Sequence, residues 1–280
     1  MAFSRIAPSR IMDAMERHES ELIAALARAR RVMVFTGAGA SKESGLPTFR
    51  EIDGEWSRHD PMTFATLEGF LSHPVEVWNL YRMRQRQIAQ AQPNPAHVTI
   101  ARMERYYAPS PACTGEGGEG DFLLVTQNVD DLHERAGSRR IVKIHGDCWG
   151  MRCLECGTVY DTRDFDFPDE FDRATLPSCP QCGKLCRPNI VWFGEYVPQE
   201  ALRAAAHAAA NCDLMLIVGT SGEVSAGYGF AERAAANGAT IVEVNPTEGH
   251  LTRHADFWVA EPAGTALPRI WNQVEAKRGE

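Results

Sequence analysis

The sequence predicts an α/β protein: a mostly parallel sheet covered by helices on both faces and interrupted by two inserted segments. Three observations predict it. Short apolar runs alternate with helical patterns, as strand–helix–strand units require. The runs are apolar nearly throughout, which suits strands buried on both faces. Each run ends in glycine or polar residues, and in such sheets ligands bind at the carboxyl ends of the strands.

In chain order, "RRVMVFTGAGASKESG" (residues 30–45) reads as a buried strand, a glycine turn and a helix start. The segment from about 54 to 120 carries helical patterns and closes on "TGEGGEGD". Two short strands follow, "FLLVTQN" (122–128) and "IVKIHG" (141–146). Residues from about 147 to 188 break the alternation and hold two cysteine pairs. The pattern then resumes with a helix over 201–211, the strand "LMLIVGTS" (214–221), a helix over 227–237 and the strand "TIVEVNPT" (240–247). No internal repeat is present.

At 280 residues the chain is long enough for a sizeable core, and 44% hydrophobic with 24% charged residues is a globular composition. The longest apolar runs are too short to span a bilayer. The first twenty residues carry arginines but no apolar stretch of signal-peptide length, and Asp13, Glu16 and Glu19 argue against organelle targeting. A cytoplasmic protein without membrane contact is expected. The net charge of −8 speaks against broad nucleic-acid binding.

Eight cysteines without a secretion signal point to metal rather than to disulfides. Cys153 and Cys156 form one Cys-x-x-Cys pair, Cys179 and Cys182 a second, with 22 residues between the pairs. Four thiolates complete a tetrahedral zinc site and leave no open position, so one structural zinc ion is expected. Cys186 stands in "LCRPNIVWFGE", which reads as the return to the main sheet, and is left out of the ligand set. With the zinc satisfied, His145 is free for other work. It ends an apolar strand beside a glycine, where either a ligand site or an inert, hydrogen-bonded core histidine fits. The turn Gly37-Ala38-Gly39 between a strand and a helix suits a pyrophosphate, whose oxygens meet backbone N–H groups there. It departs from G-x-G-x-x-G, since position 42 is Lys and the next glycine is Gly45.

Taken together, "GAGASKESGLPTFR" (37–50), "TQNVDDLHERAG" (126–137), "IHGDCWGMRCLECG" (144–157), "CPQCGKLCRPNIVWFGE" (179–195), "GTSGEVSAG" (219–227) and "VEVNPT" (242–247) resemble the sirtuins, the NAD-dependent protein deacylases. The motifs stand in the family's order across residues 31–265. The resemblance implies a Rossmann-type NAD-binding domain (20–53, 121–146 and 189–275), a helical module (54–120) and a zinc-binding module of the ribbon type (147–188). It implies that NAD is consumed as a co-substrate. The acyl oxygen of an acyl-lysine attacks C1′ of the nicotinamide ribose, and His145 then acts as general base on a ribose hydroxyl. Free lysine, nicotinamide and O-acyl-ADP-ribose result.

Residue by residue, the resemblance places Gly37, Ala38, Gly39 and Ser41 along the phosphates, and Phe49, Arg50 and Trp56 in a loop over the nicotinamide ribose. Gln127, Asn128 and Asp130 hold the nicotinamide and ribose side. Gly219, Thr220 and Ser221 meet phosphate and ribose, Asn245, Pro246 and Thr247 the adenosine ribose, and Ala263 the adenine. Val191, Trp192, Phe193, Gly194 and Glu195 form a strand-like edge for an acyl-lysine peptide or protein. Tyr81 and Arg84, three apart on one helix face, resemble the pair with which the desuccinylase and demalonylase class (class III) reads a distal carboxylate. A bland alternative is a solvated arginine face formed by Arg82, Arg84 and Arg86. Two further readings share the scaffold: an ADP-ribosyltransferase or NAD hydrolase, and a module that binds NAD without turnover.

Overall fold

The computed structural model describes residues 8–47, 64–108, 121–224 and 228–278, with side chains from residue 18 to 277 within them. Six parallel strands form the main sheet: β1 (Arg31–Thr36), β2 (Asp121–Thr126), β3 (Ile141–Lys143), β7 (Leu214–Val218), β8 (Thr240–Val244) and β9 (Phe257–Val259). Their order is β3-β2-β1-β7-β8-β9, every pair parallel. The chain therefore winds outward one way from β1 and then the other way from β7. A crevice opens at such a reversal, at the carboxyl ends of the two central strands.

Alternate residues of each strand serve opposite faces. Val32 and Val34 face a cluster built with Leu22, Leu26, Ile100, Met103, Ile270 and Trp271. Met33 and Phe35 face a second cluster, with Ala205, Ala209, Phe230 and Ala234. The helices of the first face are α1 (Pro8–Arg28), α5 (Pro95–Tyr107) and α9 (Ala263–Arg278); those of the second are α7 (Gln199–Asn211) and α8 (Phe230–Ala236), while the short α2 (Gly39–Lys42) and α6 (Leu132–Ala136) follow β1 and β2. Each fully buried aliphatic side chain in these layers contributes about 1.5–3 kcal/mol. Thus α5, grouped with the helical module by sequence, packs against the main sheet.

The other strands, β4 (Gly146–Cys153), β5 (Val159–Asp161) and β6 (Cys186–Ile190), make a separate antiparallel sheet in the order β5-β4-β6. Two helices, α3 (Leu67–Ser72) and α4 (Pro74–Gln90), pack on it through Phe70, Val77, Trp78, Met151, Phe171 and Trp192. The Trp78 indole N–H donates to the Cys186 carbonyl at 2.9 Å, which fixes α4 against β6.

The segment 141–146, expected as one strand, divides. Ile141–Lys143 stays in the parallel sheet and Gly146 opens the antiparallel one. Gly146 takes φ +85, and a Cβ there would stand 2.1 Å from the Asn189 carbonyl oxygen, so only glycine lets the chain change sheets here. His145 lies at this junction. β9 was not anticipated; three residues are too few to carry a periodic signal. Among the described residues, no helix is long and apolar enough to cross a membrane.

Candidate active site

Four strand ends meet at the crevice. The turn after β1 and the turn after β7 touch backbone to backbone: Gly37 N–H donates to Val218 O at 3.1 Å and Gly39 N–H to Gly219 O at 2.8 Å. A Cβ on Gly219, which has φ +60, would lie 2.3 Å from the Ala40 nitrogen, and one on Gly39 2.7 Å from the Gly219 oxygen. Glycine at both positions is what permits the contact. Thr220 joins the remaining ends: Gln127 Nε2 donates to its hydroxyl at 3.0 Å and Asn245 Nδ2 to its carbonyl at 3.3 Å. Gln127, Thr220, Asn245 and the Gly37–Gly39 turn, scattered over the sequence, thus converge. A narrow turn with no side chain larger than the Ala38 methyl, flanked by side-chain amides, suits a dinucleotide's phosphates and riboses.

A buried polar layer supports this turn. The Asn94 backbone N–H donates to His97 Nδ1 at 3.2 Å, so the neutral ring carries its proton on Nε2, 3.4 Å from Ser41 Oγ. Asn128 Nδ2 also donates to Ser41 Oγ, at 3.0 Å, and the Ser41 hydroxyl donates to Asp130 Oδ2 at 3.0 Å. Asp130 Oδ1 accepts from the Leu132 N–H at 3.1 Å. Ser41 is only 2% exposed, and its hydroxyl is turned inward, as a buttress under the turn. Next to His97, His133 meets the Thr36 hydroxyl at 3.2 Å through Nε2, and the two rings cross edge to face at 4.7 Å. Burial holds His97 down at about 4 and His133 well below the usual histidine range. Sequence reasoning missed Asn94, His97 and His133. The Asn94-Pro95 start of α5, with its helix-capping signature, was the available signal.

His145 stands at the mouth of the crevice. Its Nδ1 lies 3.1 Å from the Gln127 carbonyl oxygen, which can only accept, so Nδ1 carries the proton. The basic nitrogen is therefore Nε2, and the Tyr228 hydroxyl donates to it at 2.8 Å. Burial lowers the His145 pKa and the Gln127 bond opposes that, with a net downward shift, so the ring is neutral at pH 7. Tyr228 is a fourth residue that sequence reasoning missed.

Beyond His145, Val191 N–H donates to the His145 carbonyl at 2.9 Å. The expected strand-like edge over 191–195 is cut short, because residues 193–194 turn and Glu195 N–H returns to Trp192 O at 3.0 Å. Trp192 is buried, and Glu195 points inward to a bidentate pair with Arg187 while accepting from Trp192 N–H at 2.9 Å. Burial raises the Glu195 carboxyl, but the Arg187 bonds outweigh it and hold it below the carboxylate range. The Arg187 guanidinium also lies 3.5 Å over the Trp192 ring. Val191, Glu195, Asn189 and Tyr196 line a cavity of about 420 Å³. On α4, Tyr81 accepts from the Trp192 indole N–H at 2.8 Å, which leaves its own hydroxyl proton available. Arg84 is largely buried, and its hydrogen bonds among the described residues go to Gln87 Oε1 and the Pro47 carbonyl, neither of them charged. Burial lowers its pKa against the pull of Cys148, Asp130 and Tyr81.

Gly219, Ser221, Asn245, Pro246 and Thr247 lie at the ends of β7 and β8, and Ala263 is buried at the start of α9 beside Gly264, whose N–H donates to Glu43 at 2.6 Å. Phe49, Arg50 and Trp56 lie outside the described residues.

The four predicted cysteines come together at the tip of the small sheet, every sulfur within 4.8 Å of the others. Cys153–Cys182, Cys156–Cys179 and Cys156–Cys182 sulfurs are 3.5, 3.6 and 3.8 Å apart. Four thiolates each about 2.3 Å from one zinc ion stand about 3.8 Å from one another. The donor set and its dimensions fit zinc. Cys186 is buried in β6, paired with Cys153 through the backbone, and is no part of the cluster.

Comparison with known proteins agrees with this geometry. The Sir2 family profile matches residues 37–226. The chain is 43% identical over 248 residues to "NAD-dependent protein deacylase 1" of Pseudomonas aeruginosa, covering 88% of this chain and 94% of that one. It is 44% identical over 255 residues to an "NAD-dependent protein deacylase" of Thermus thermophilus, covering 90% and 94%. Among solved structures, a Sir2 homologue mutant in complex with ADP-ribose aligns with a TM-score of 0.81 at 34% identity, over 92% of this chain and 97% of that one. A Sir2 homologue–NAD complex aligns at 0.80 and 34%, over 92% and 94%. A Sir2 mutant with a p53 peptide and NAD aligns at 0.77 and 28%, over 92% and 99%.

Proposed function

The chain belongs to the Sir2 family and is an NAD-dependent protein deacylase, and we propose that it acts on lysine acyl chains that end in a carboxylate, such as succinyl and malonyl groups. Bound NAD supplies the ribose carbon that the acyl oxygen attacks and the nicotinamide that leaves. The glycine turns after β1 and β7 bring backbone to the phosphates, while Gln127, Thr220 and Asn245 face the riboses. His145, neutral and protonated on Nδ1, accepts a proton at Nε2 from a ribose hydroxyl. The substrates are acyl-lysine proteins or peptides laid along Val191, and the work is cytoplasmic.

The acyl preference rests on one observation: a largely buried guanidinium whose described hydrogen bonds all go to neutral oxygens. A buried cation is stabilised by a carboxylate held bidentately, and Tyr81, its oxygen already accepting from Trp192, has an O–H to add to the same ligand. An acetyl chain offers neither bond. The test is kcat/KM on succinyl-lysine and acetyl-lysine peptides of one sequence, with mass spectrometry of the products. The parent should form O-succinyl-ADP-ribose and prefer the succinyl peptide; Arg84→Met should lose that activity by about tenfold or more while retaining the acetyl activity. A parent that prefers acetyl-lysine, or an unchanged preference in Arg84→Met, removes the carboxylate pocket. Free ADP-ribose or ADP-ribosylated protein as the main product would replace deacylation by NAD hydrolysis or transfer.

A further inference from the structure

We propose that Tyr228 is a positioning residue that occupies the basic nitrogen of His145 in the free enzyme and is displaced from it by the substrate's ribose hydroxyl. The inference rests on His145 being the general base.

A neutral imidazole has one basic lone pair. With the proton fixed on Nδ1 by the Gln127 carbonyl, that lone pair is on Nε2. The Tyr228 hydroxyl donates into it at 2.8 Å. A hydroxyl that must give its proton to Nε2 therefore needs the place that the tyrosine hydroxyl holds. Tyr228 could remain in the path only by passing its own proton to His145 and taking one from the ribose. Its oxygen is poorly suited to this, since burial raises the phenol above its ordinary value. Displacement asks less. The Tyr228 ring is half-buried and stacks on Phe230 at 5.5 Å, which in turn packs edge-on against Phe35 in the main core. The ring is thus backed on one side by the core and reaches the crevice with its hydroxyl alone.

Tyr228 also comes from beyond β7, whereas His145 follows β3, so the bond spans the crevice from the far side of the reversal point. Among the described residues, the groups hydrogen-bonded to His145 are uncharged: the Gln127 carbonyl, the Val191 amide on the His145 carbonyl, and Tyr228. The nearest charged side chains in sequence, Lys143 and Asp147, are bound to each other at 2.7 Å, and Lys143 also pairs with Glu134.

A bond present in the free enzyme and absent from the working complex raises KM and leaves kcat alone. Tyr228→Phe keeps the ring and its stacking and removes only the donor. It should lower the KM for NAD about two- to tenfold with kcat unchanged, the span of one neutral hydrogen bond. The same bond favours neutral imidazole, so in free Tyr228→Phe protein the His145 resonance, followed by NMR, should titrate at higher pH than in the parent. The acid limb of kcat/KM should move with it and that of kcat should stay. A fall in kcat at constant KM would make Tyr228 a proton relay and overturn the proposal, as would a KM and a His145 titration both equal to the parent's. His145→Ala separates the two readings: if it keeps turnover, the base assignment itself has failed; if it abolishes turnover while Tyr228→Phe changes nothing, only the tyrosine's role has.

Discussion

At the residue scale, the proposed chemistry depends on which nitrogen of one imidazole is bare. The Gln127 carbonyl decides this, because it accepts the Nδ1 proton and leaves the lone pair on Nε2. His145→Ala should therefore lower deacylation by about 10²–10⁴, the usual contribution of a positioned base, with NAD affinity and melting temperature close to the parent's. Product formation, isothermal titration with NAD and thermal unfolding check the three parts; near-parental turnover would end the assignment. The strand end that carries the residue was legible in the sequence, since "IHG" follows an apolar run, but the histidine's part as a base came only with the family resemblance. Its partner was not legible. Tyr228 lies 83 positions away, and no local pattern marks a tyrosine that will meet a histidine across a crevice.

At the element scale, the small antiparallel sheet depends on its cysteine cluster. β5 has three residues, and the loop from Asp161 to Cys186 has little regular structure to hold it. The Trp78–Cys186 bond and the Trp192–Tyr81 bond tie α4 to this sheet, so loosening the sheet displaces the helix that bears Tyr81 and Arg84. Cys153→Ser or Cys182→Ser should accordingly reduce zinc below one per chain, lower the unfolding temperature and lower activity together. Metal analysis alongside calorimetry tests this. Full zinc occupancy after replacing both Cys179 and Cys182 would show that other ligands hold the metal. The spacing of the two Cys-x-x-Cys pairs made the ligand set readable in advance. The edge over 191–195 was read too simply, because its turn depends on Glu195 reaching Arg187, a pairing set by the tertiary fold.

At the scale of the whole molecule, the buried layer beneath the crevice links stability to pH. His97 and His133 are held neutral by burial, His97 at about 4 and His133 well below its ordinary value, whereas both titrate near 6.5 in an unfolded chain. The unfolded state thus binds more protons as pH falls, and stability is complete above about 6.5 and declines below it. Each group contributes a slope approaching about 1.4 kcal/mol per pH unit, until His97 itself protonates near 4. Denaturant titrations from pH 7.5 to 4.5 should show this decline, and His97→Asn should make it shallower. A stability that is flat across that window would contradict the buried neutral pair.

By itself the sequence determined the parallel α/β architecture, the four clustered cysteines and the strand ends that carry the candidate site. Those features are written locally, in runs of apolar residues, in cysteine spacing and in glycines that no other residue can replace. The tertiary structure decided what each of those residues does. It turned Ser41 and Glu195 inward, moved α5 to the main sheet, divided residues 141–146 between two sheets, and set Tyr228 on His145. The physical reason is that a hydrogen bond or a buried charge is fixed by what the fold brings within about 3 Å, and such neighbours come from elements far apart in the chain.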